Sequence, residues 1–234
     1  MSVEISVIIP ALNEEKYIKN VLYGLNRQTF RNFETIVVDG GSDDNTVRMA
    51  KRYAKVAIVK ERGAGRARNA GAKLAKGKTL VFLDADTSPS ENLLGTYAKI
   101  MRRRGIVAAT GPIYPLEKSG GRYYWGYKLV SVFLVRLSIL VGRPVFMGSN
   151  FAVRKSAFEK AHGFREDMLS YEDWELSARL KKQGIMAYSS KAWVQTSIRR
   201  VKKWGMARYF LFYTTNFLRF HIFKESHRDY QPVR

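Results

Sequence analysis

The segment SVIIPALNEEKYI (residues 6–18) decides the fold, because it joins a strand to a helix. An apolar, β-branched run, VEISVIIP (3–10), is typical of a buried strand, and a helical pattern follows from Asn13 to about Arg27. The same change recurs downstream, where strand-like runs are FETIVVD (33–39), KVAIVK (55–60) and TLVFLD (79–84), with helical patterns between them. Apolar strands that alternate with helices predict an α/β fold, a Rossmann-like, mostly parallel sheet flanked by helices.

Polar side chains follow these strands: Asn13 and Glu14 after the first, Asp39 after the second, and Asp84 and Asp86 after the fourth. Ligands of such sheets bind beyond the carboxyl ends of the strands. On an extended segment Asp84 and Asp86 point to the same side, and at about 4 Å two carboxylates repel by roughly 4 kcal/mol at an effective dielectric near 20. A shared proton or a divalent cation would relieve this repulsion, and hard oxygen ligands suit Mg²⁺ or Mn²⁺. A solvated turn is the alternative interpretation of DADTSP.

The composition bounds the function class. The chain contains 41 Lys and Arg against 20 Asp and Glu, a formal net charge of +21, and no cysteine. Disulfides, thiolate metal sites and cysteine nucleophiles are therefore excluded. The excess charge requires a partner such as nucleic acid, an anionic membrane or acidic substrates. We expect no secretion signal and no conventional membrane span, because strand-like sequence starts at once and no run of 18 apolar residues occurs.

Two segments of the second half are both apolar and basic. The apolar segment 123–147 overlaps RYYWGYKLVSVFLVRLSILVGRPVF (122–146), which reads as one helix that is apolar almost all round. On a regular helix its basic residues fall within an arc of about 120°; they are Arg122, Lys128, Arg136 and Arg143. Such a stripe predicts a helix lying in a membrane interface. From Arg199 to Arg234 there are nine Lys or Arg, two acids and many aromatics, and for 204–223 core packing or a homodimer interface is an equal alternative.

Five segments, taken together, resemble family 2 glycosyltransferases with a GT-A fold. They are SVIIPALNEEKYI, ETIVVDGGSDDNT, GAGRARNAGAKLAKG, LVFLDADTSP and YEDWELSARL. The resemblance covers roughly residues 3–185. It implies a non-processive hexosyltransferase that moves a sugar, with inversion, from a UDP- or GDP-sugar to a hydroxyl of a glycan or lipid-linked acceptor. It also implies a GT-A catalytic domain at 1–198, with a nucleotide-binding half (1–90) and an acceptor half (91–198), before a basic aromatic helical tail at 199–234.

Matched position by position, the resemblance implies roles for individual residues. The donor-binding set is Pro10, Ala11, Asn13, Glu14, Asp39, Arg66, Asp84, Ala85 and Asp86. Asp86 would hold Mg²⁺ or Mn²⁺ against the diphosphate, and Asp84 would touch the ribose or a metal-bound water. The acceptor-side set is Ser149, Asn150, Glu172 and Trp174. Asp173 would be the catalytic base, and Arg199 and Arg200 would contact the diphosphate.

Several of these positions also have a structural interpretation. Asp39 could cap the next helix, and Arg68 could lie on a solvated helix face. Glu172 and Asp173 could simply complement the start of a helix. His162 replaces a glycine of the family pattern, and we expect it to be a helix-end residue.

The pair Glu172–Asp173 also bears on the acceptor. A hydroxyl must lose its proton as it attacks, whereas a phosphate acceptor is already anionic and needs no base. The pair therefore favours a hydroxyl over the alternative function, a polyprenyl (dolichyl)-phosphate sugar synthase. Processive relatives carry Q-x-x-R-W and membrane spans, which this sequence lacks.

A nucleic-acid-binding module is the non-enzymatic alternative, since basic and aromatic residues are mixed in such proteins. The aromatics here recur at helical spacing among Leu and Met, which favours burial over base stacking. GAGRARNAG is not a dinucleotide fingerprint, because position 68 is Arg instead of the third glycine.

From the apolar and basic segments of the second half, we expect a peripheral protein on the cytoplasmic side of a membrane, or otherwise a cytoplasmic one.

Overall fold

The computed structural model describes residues 2–60, 62–117, 121–168, 170–205, 207–209, 211, 212, 215 and 219. Within helices, only the backbone is described for 122, 123, 127, 128, 130, 131 and 134. Most of the tail at 199–234, including much of the 204–223 segment, therefore lies outside the described residues.

The elements of the described residues are, in chain order, β1 (Ile5–Ala11), α1 (Ile18–Asn26), β2 (Phe33–Asp39), α2 (Thr46–Ala50), β3 (Lys55–Ile58), α3 (Ala64–Leu74), β4 (Thr79–Phe82), β5 (Thr87–Pro89), α4 (Leu93–Met101), β6 (Ile106–Thr110), β7 (Ile113–Pro115), α5 (Gly121–Lys128), a π-helical segment (Leu129–Leu134), α6 (Val135–Leu140), β8 (Phe151–Arg154), α7 (Lys155–Lys160), α8 (Glu172–Lys181), β9 (Ile185–Tyr188), β10 (Val194–Thr196) and α9 (Arg199–Trp204).

The larger sheet has seven strands in the order β3-β2-β1-β4-β8-β6-β9, and only β8 runs against the others. A second sheet of three short strands has the order β5-β10-β7. Because β5 follows β4 directly and β10 precedes α9, this small sheet brings the end of the fold beside the carboxyl ends of β1 and β4. The prediction of a mostly parallel, Rossmann-like sheet is confirmed.

Both faces of the larger sheet are buried, as the continuous apolar strands require. On β1, Val7 and Ile9 pack with α1 and α4, whereas Ile8 packs with α3 and α7 on the opposite face. Helix α3 lies so close to β1 that a Cβ on Gly71 would fall 2.4 Å from the Ile8 side chain. The glycine therefore fixes how closely the helix that carries Arg68 approaches the sheet.

The prediction of one regular helix over 122–146 is wrong. The helical turns of α5 pass through the π-helical segment Leu129–Leu134 and stop after α6, at Gly142 with φ of 73°. Arg143 consequently lies beyond the helix, and the calculated basic arc does not describe this segment. No helix in the described part of the chain is long and apolar enough to cross a membrane.

Candidate active site

The loop after β1 is built differently from the predicted helix start at Asn13. Asn13 has a left-handed φ of 54°, and α1 begins only at Ile18. The backbone N–H groups of Asn13 and Glu14 donate instead to the Ser42 hydroxyl (2.8 Å) and the Thr46 hydroxyl (2.7 Å). These bonds join the loop after β1 to the loop after β2, so the two loops form one surface at the carboxyl edge of the sheet.

Asp39 is fully buried at the end of β2. One of its oxygens accepts hydrogen bonds from the N–H groups of Gly41 (3.0 Å) and Ser42 (2.8 Å), and the other accepts from the Ser42 hydroxyl (2.5 Å). The carboxylate therefore shapes the loop that precedes α2, but it does not cap that helix, whose N-cap is Asn45, so the interpretation of Asp39 as a helix cap is wrong. Its predicted contact with a nucleotide base stays a prediction.

Asp84 and Asp86 have different positive partners. The Nη2 atom of Arg68 lies 2.8 Å from Asp84, and that of Arg199 lies 3.2 Å from Asp86. The repulsion expected between the two carboxylates is therefore balanced by two arginines from distant parts of the sequence. Residues 83–86 turn away from β4, and the buried Ala85 separates the two acidic side chains.

Asp86 lies in the more enclosed position, with 14% of its side chain exposed. The hydroxyl of Thr196, on β10, donates to it at 3.2 Å. Burial, followed by the nearby Asp84 carboxylate, raises the pKa of Asp86 to about 7, although Arg199 opposes the shift. The raised pKa reflects an enclosed position beside other carboxylates, which Arg199 only partly offsets.

Glu14 completes an acidic rim, by which we mean Glu14, Asp84 and Asp86. Arg199 donates through both terminal nitrogens to the Glu14 carboxylate, at 2.8 and 2.5 Å. The same guanidinium stacks over the ring of Tyr17 at 4.8 Å. Arg199 therefore reaches the rim, as its predicted role requires, whereas Arg200 is half-buried on α9.

Arg68 is the central cation of the site, and the interpretation of it as a solvated residue is wrong. Arg68 is 4% exposed, and its guanidinium donates to Glu172 (2.8 Å) and Asp84 (2.8 Å), which joins the loop after β4 to α8. Burial would lower the pKa of Arg68, but the surrounding carboxylates, led by Asp84, raise it. Gly148 packs directly on this guanidinium, since a Cβ there would lie 2.5 Å from Nη2.

The spacing of small residues along α3 indicates that Arg68 is buried, although the sequence analysis left this residue open. On α3 the buried residues are Gly65, Ala67, Arg68, Gly71 and Ala72. Small residues three and four positions from Arg68 mark the face that approaches the sheet. Arg66 lies outside that face, half-buried, and donates to the backbone carbonyl of Glu166 at 3.3 Å.

Asp173 lies at the start of α8, as predicted. Tyr171 precedes the helix in the left-handed conformation, with φ of 73°. The Asp173 carboxylate accepts from the N–H groups of Gly148 (2.8 Å) and Trp174 (2.9 Å). Burial, followed by the adjacent Glu172 carboxylate, raises the pKa of Asp173 well above its ordinary value, against the opposing effect of Arg68. A held carboxylate with a raised pKa suits a general base.

The predicted acceptor-side residues fall in different environments. Asn150 is fully buried, where its side chain accepts from the Tyr97 hydroxyl (2.6 Å) and donates to the Ala192 carbonyl (2.8 Å). It therefore holds the interior together instead of lining the surface of the site. Ser149 and Trp174 are half-buried, and the Trp174 ring packs on Tyr171 with centroids 4.6 Å apart.

His162 follows the C-cap of α7, with φ of 58° and its N–H donated to the Glu159 carbonyl at 2.9 Å, so it is a helix-end residue as expected. Pro10 and Ala11 end β1, where Ala11 pairs with Asp39 and accepts from the Gly40 N–H at 2.9 Å.

The acidic rim is compatible with a divalent cation that keeps open positions. Among the described residues, no group of three or more His, Asp or Glu is arranged to hold a metal ion by itself. The carboxylates of Asp84 and Asp86 offer hard oxygens, which suit an ion such as Mg²⁺ that takes its remaining ligands from water and phosphate. The rim therefore fits an ion bound together with a phosphate-bearing ligand.

Comparison with known proteins decides the family. A model of the family described as "Glycosyl transferase family 2" matches residues 6–161, which cover β1 to α7. The chain belongs to glycosyl transferase family 2. The resemblance drawn from its motifs is thereby confirmed.

Individual members of family 2 match over varying lengths. The chain is 28% identical, over 225 residues, to the O-antigen chain rhamnosyltransferase RfbN of Salmonella typhimurium, covering 88% of this chain and 70% of that one. It is 30% identical, over 132 residues, to the glycosyltransferase GlyG of Streptococcus pneumoniae, covering 53% of this chain but 44% of the relative. The chain thus spans less than half of the length of that relative.

Solved structures of the GT-A type share the fold. Staphylococcus aureus TarS in complex with UDP-GlcNAc superposes with a TM-score of 0.70 at 23% identity, over 84% of this chain and 59% of that one. The mannosyltransferase PcManGT of Pyrobaculum calidifontis, in complex with GDP-Man and Mn²⁺, superposes with a TM-score of 0.67 at 19% identity, over 92% of this chain and 65% of that one. These likenesses confirm the predicted fold class.

Proposed function

We propose that the chain is an inverting, non-processive glycosyltransferase that moves a hexosyl group from a UDP- or GDP-sugar to a hydroxyl of a glycan or lipid-linked acceptor. The observation that carries the proposal is the Arg68 bridge, which holds Asp84 of the acidic rim and Glu172 beside Asp173 with contacts of 2.8 Å each. The bridge supports the proposal because it would keep a donor-side carboxylate and the base within one site. Related structures hold UDP-GlcNAc or GDP-Man, so they support either nucleotide.

On the donor side, Asp86 would hold the divalent ion with Asp84 beside it, and when bound the ion supplies positive charge to the departing diphosphate. Arg199 would donate to the diphosphate oxygens, for which its planar fork is suited. The loops after β1 and β2 would lie along the nucleoside. Both loops are fixed by hydrogen bonds between them, which favours a preformed nucleotide surface.

On the acceptor side, Asp173 would accept the proton of the attacking hydroxyl while the oxygen forms its bond to the anomeric carbon. The bond from that carbon to the diphosphate oxygen breaks on the opposite side, so a single displacement inverts the configuration. The N–H groups of Gly148 and Trp174 hold the carboxylate in place. Glu172 is engaged by Arg68 and orients the base.

The test combines binding and transfer. UDP- and GDP-sugars are screened for thermal stabilisation with and without Mn²⁺, and the stabilising donor is offered to lipid-linked saccharides and to polyprenyl phosphate. We expect Asp173→Asn to keep donor binding and to lose transfer to a hydroxyl, and Asp86→Asn to lose metal-dependent donor binding. Transfer to polyprenyl phosphate that survives Asp173→Asn would favour the phosphate-sugar synthase instead, and salt-sensitive oligonucleotide binding without donor binding would favour the nucleic-acid module.

We also propose peripheral attachment to an anionic membrane. Five large apolar side chains along α5, the π-helical segment and α6 are 42–82% exposed, namely Trp125, Leu129, Phe133, Leu137 and Leu140. Exposed apolar side chains on a chain of charge +21 suit a bilayer that carries acidic lipids. The cytoplasmic side of that membrane stays a prediction.

The attachment is tested by sedimentation with phosphatidylglycerol vesicles. Phe133→Ser together with Leu137→Ser should abolish binding, and Tyr53→Ser, which replaces another exposed large side chain, should not. If the Phe133→Ser, Leu137→Ser variant instead loses a dimer that the wild type shows in light scattering, and its vesicle binding is unchanged, these side chains form a homodimer interface.

A further inference from the structure

The guanidinium of Arg199 occupies the space between two members of the acidic rim. It donates to both oxygens of Glu14, lies 3.2 Å from an oxygen of Asp86 and stacks on Tyr17. The side chains involved are largely enclosed, with 19% of Arg199 and 11% of Glu14 exposed. Little water can therefore balance Glu14 and Asp86, and Arg199 is the local counter-ion of these two carboxylates.

We propose that Arg199 is a tethered cation that competes with the divalent metal for Asp86 and gives up this position to the metal when the nucleotide donor binds. The proposal rests on the proposed function, because it requires a metal and a diphosphate at the rim. A divalent ion on Asp86 would lie within a few ångströms of the guanidinium, where like charges repel strongly. An incoming diphosphate offers Arg199 new oxygens, so the exchange leaves both cations paired.

The backbone around Arg199 is anchored, so the exchange needs only the side chain to turn. The carboxylate of Glu117 accepts from the Ser197 hydroxyl (2.5 Å) and from the Ile198 N–H (2.9 Å). The N–H of Arg199 in turn donates to the Ser197 hydroxyl at 3.3 Å. These bonds fix the start of α9 at the rim, while the contact to Asp86, at 3.2 Å, is longer than the pairs with Glu14.

The competition is measured without turnover. Mn²⁺ binding to the full chain is followed at pH 8 by the electron paramagnetic resonance signal of free Mn²⁺, first without nucleotide. We expect Arg199→Met to bind Mn²⁺ about tenfold more tightly than the wild type, because a repelling charge a few ångströms away is gone. Lys203→Met, an exposed lysine of the same helix, makes the same change in net charge and should bind like the wild type. With UDP or GDP present, Arg199→Met should bind the nucleotide about tenfold more weakly.

Equal Mn²⁺ affinities of the wild type and Arg199→Met would overturn the competition while leaving the proposed function intact. Absence of Mn²⁺ binding in both proteins would overturn the competition together with the metal part of the proposed function. A second measurement uses the wild type alone: the side-chain Nε–H resonance of Arg199, assigned with Arg199→Lys, should shift when Mg²⁺ and the nucleotide are added. An unmoved resonance under saturating Mg²⁺ and nucleotide would equally refute the exchange.

Discussion

Replacing Arg68 by methionine removes the buried cation that holds Asp84 and Glu172, at 2.8 Å each, while keeping most of the side-chain volume. Removing one partner of a buried ion pair costs about 3–5 kcal/mol, and here the charge left buried without compensation is that of Glu172, since 37% of the Asp84 side chain is exposed to water. For a chain of this size each kcal/mol lowers the melting temperature by roughly 2–4 °C, so we expect a loss of roughly 6–20 °C at pH 8. Lys73→Met, an exposed lysine of α3, should change it by less than about 2 °C.

The pH dependence of this loss follows from the pKa of Asp173. Arg68 lowers that pKa, so the variant should raise it further above the unfolded value. A raised acid pKa makes the folded state bind more protons than the unfolded state, so stability falls as pH rises. Each unit of pKa difference is worth about 1.4 kcal/mol, and the loss should shrink when unfolding by urea is repeated at pH 5.5. A loss below about 1 kcal/mol at pH 8, or one that is equal at both pH values, would refute the central role given to Arg68.

Three further predictions concern neighbouring residues. With a raised pKa on Asp173, kcat/KM should fall about tenfold per pH unit on the acidic side of neutrality, and a profile that is flat down to pH 5 would contradict a buried base. Gly148→Ala places a Cβ 2.5 Å from Arg68 and should lower the free energy of unfolding in urea by about 1–3 kcal/mol. The control Gly95→Ala, whose Cβ would have its nearest atom at 3.7 Å, should stabilise α4 slightly. Equal effects of the two substitutions would disprove the close packing of Gly148 on Arg68. Asn150→Ala leaves buried partners unpaired and should lower the free energy of unfolding by about 2–3 kcal/mol in the same assay. A change near zero would contradict the structural role of Asn150 and favour its predicted role on the acceptor side.

The sheet and its functional edge could be predicted because both depend on local patterns. β-branched apolar runs determine the strands, and parallel strands necessarily bring their carboxyl ends together. Asp39, Asp84 and Asp173 therefore lie at strand or helix ends as expected. The boundaries were less accurate: α1 begins at Ile18 instead of Asn13, and Asn13 lies in a loop with a left-handed φ of 54°.

The counter-ions of the rim could not be predicted, because they depend on contacts between distant segments. Arg199 is 185 positions from Glu14 in sequence, and no local pattern pairs them. The spacing of small residues along α3 could have predicted that Arg68 is buried. Its two carboxylate partners could not be predicted, because they come from separate elements. The π-helical segment was equally hidden, since sequence periodicity assumes the regular rotation of an α-helix.

Arg68 is held by more contacts than Arg199, and this difference distinguishes Asp84 from Asp86. Arg68 is buried, contacts two carboxylates and packs against Gly148 and the ring of Phe164, so displacing it from Asp84 would also strand Glu172. Arg199 is attached mainly to Glu14 and approaches Asp86 through one longer contact. Of the two aspartates, Asp86 can therefore exchange its cation at the lower cost. This asymmetry supports the assignment of the metal to Asp86, and of a fixed, orienting role to Asp84.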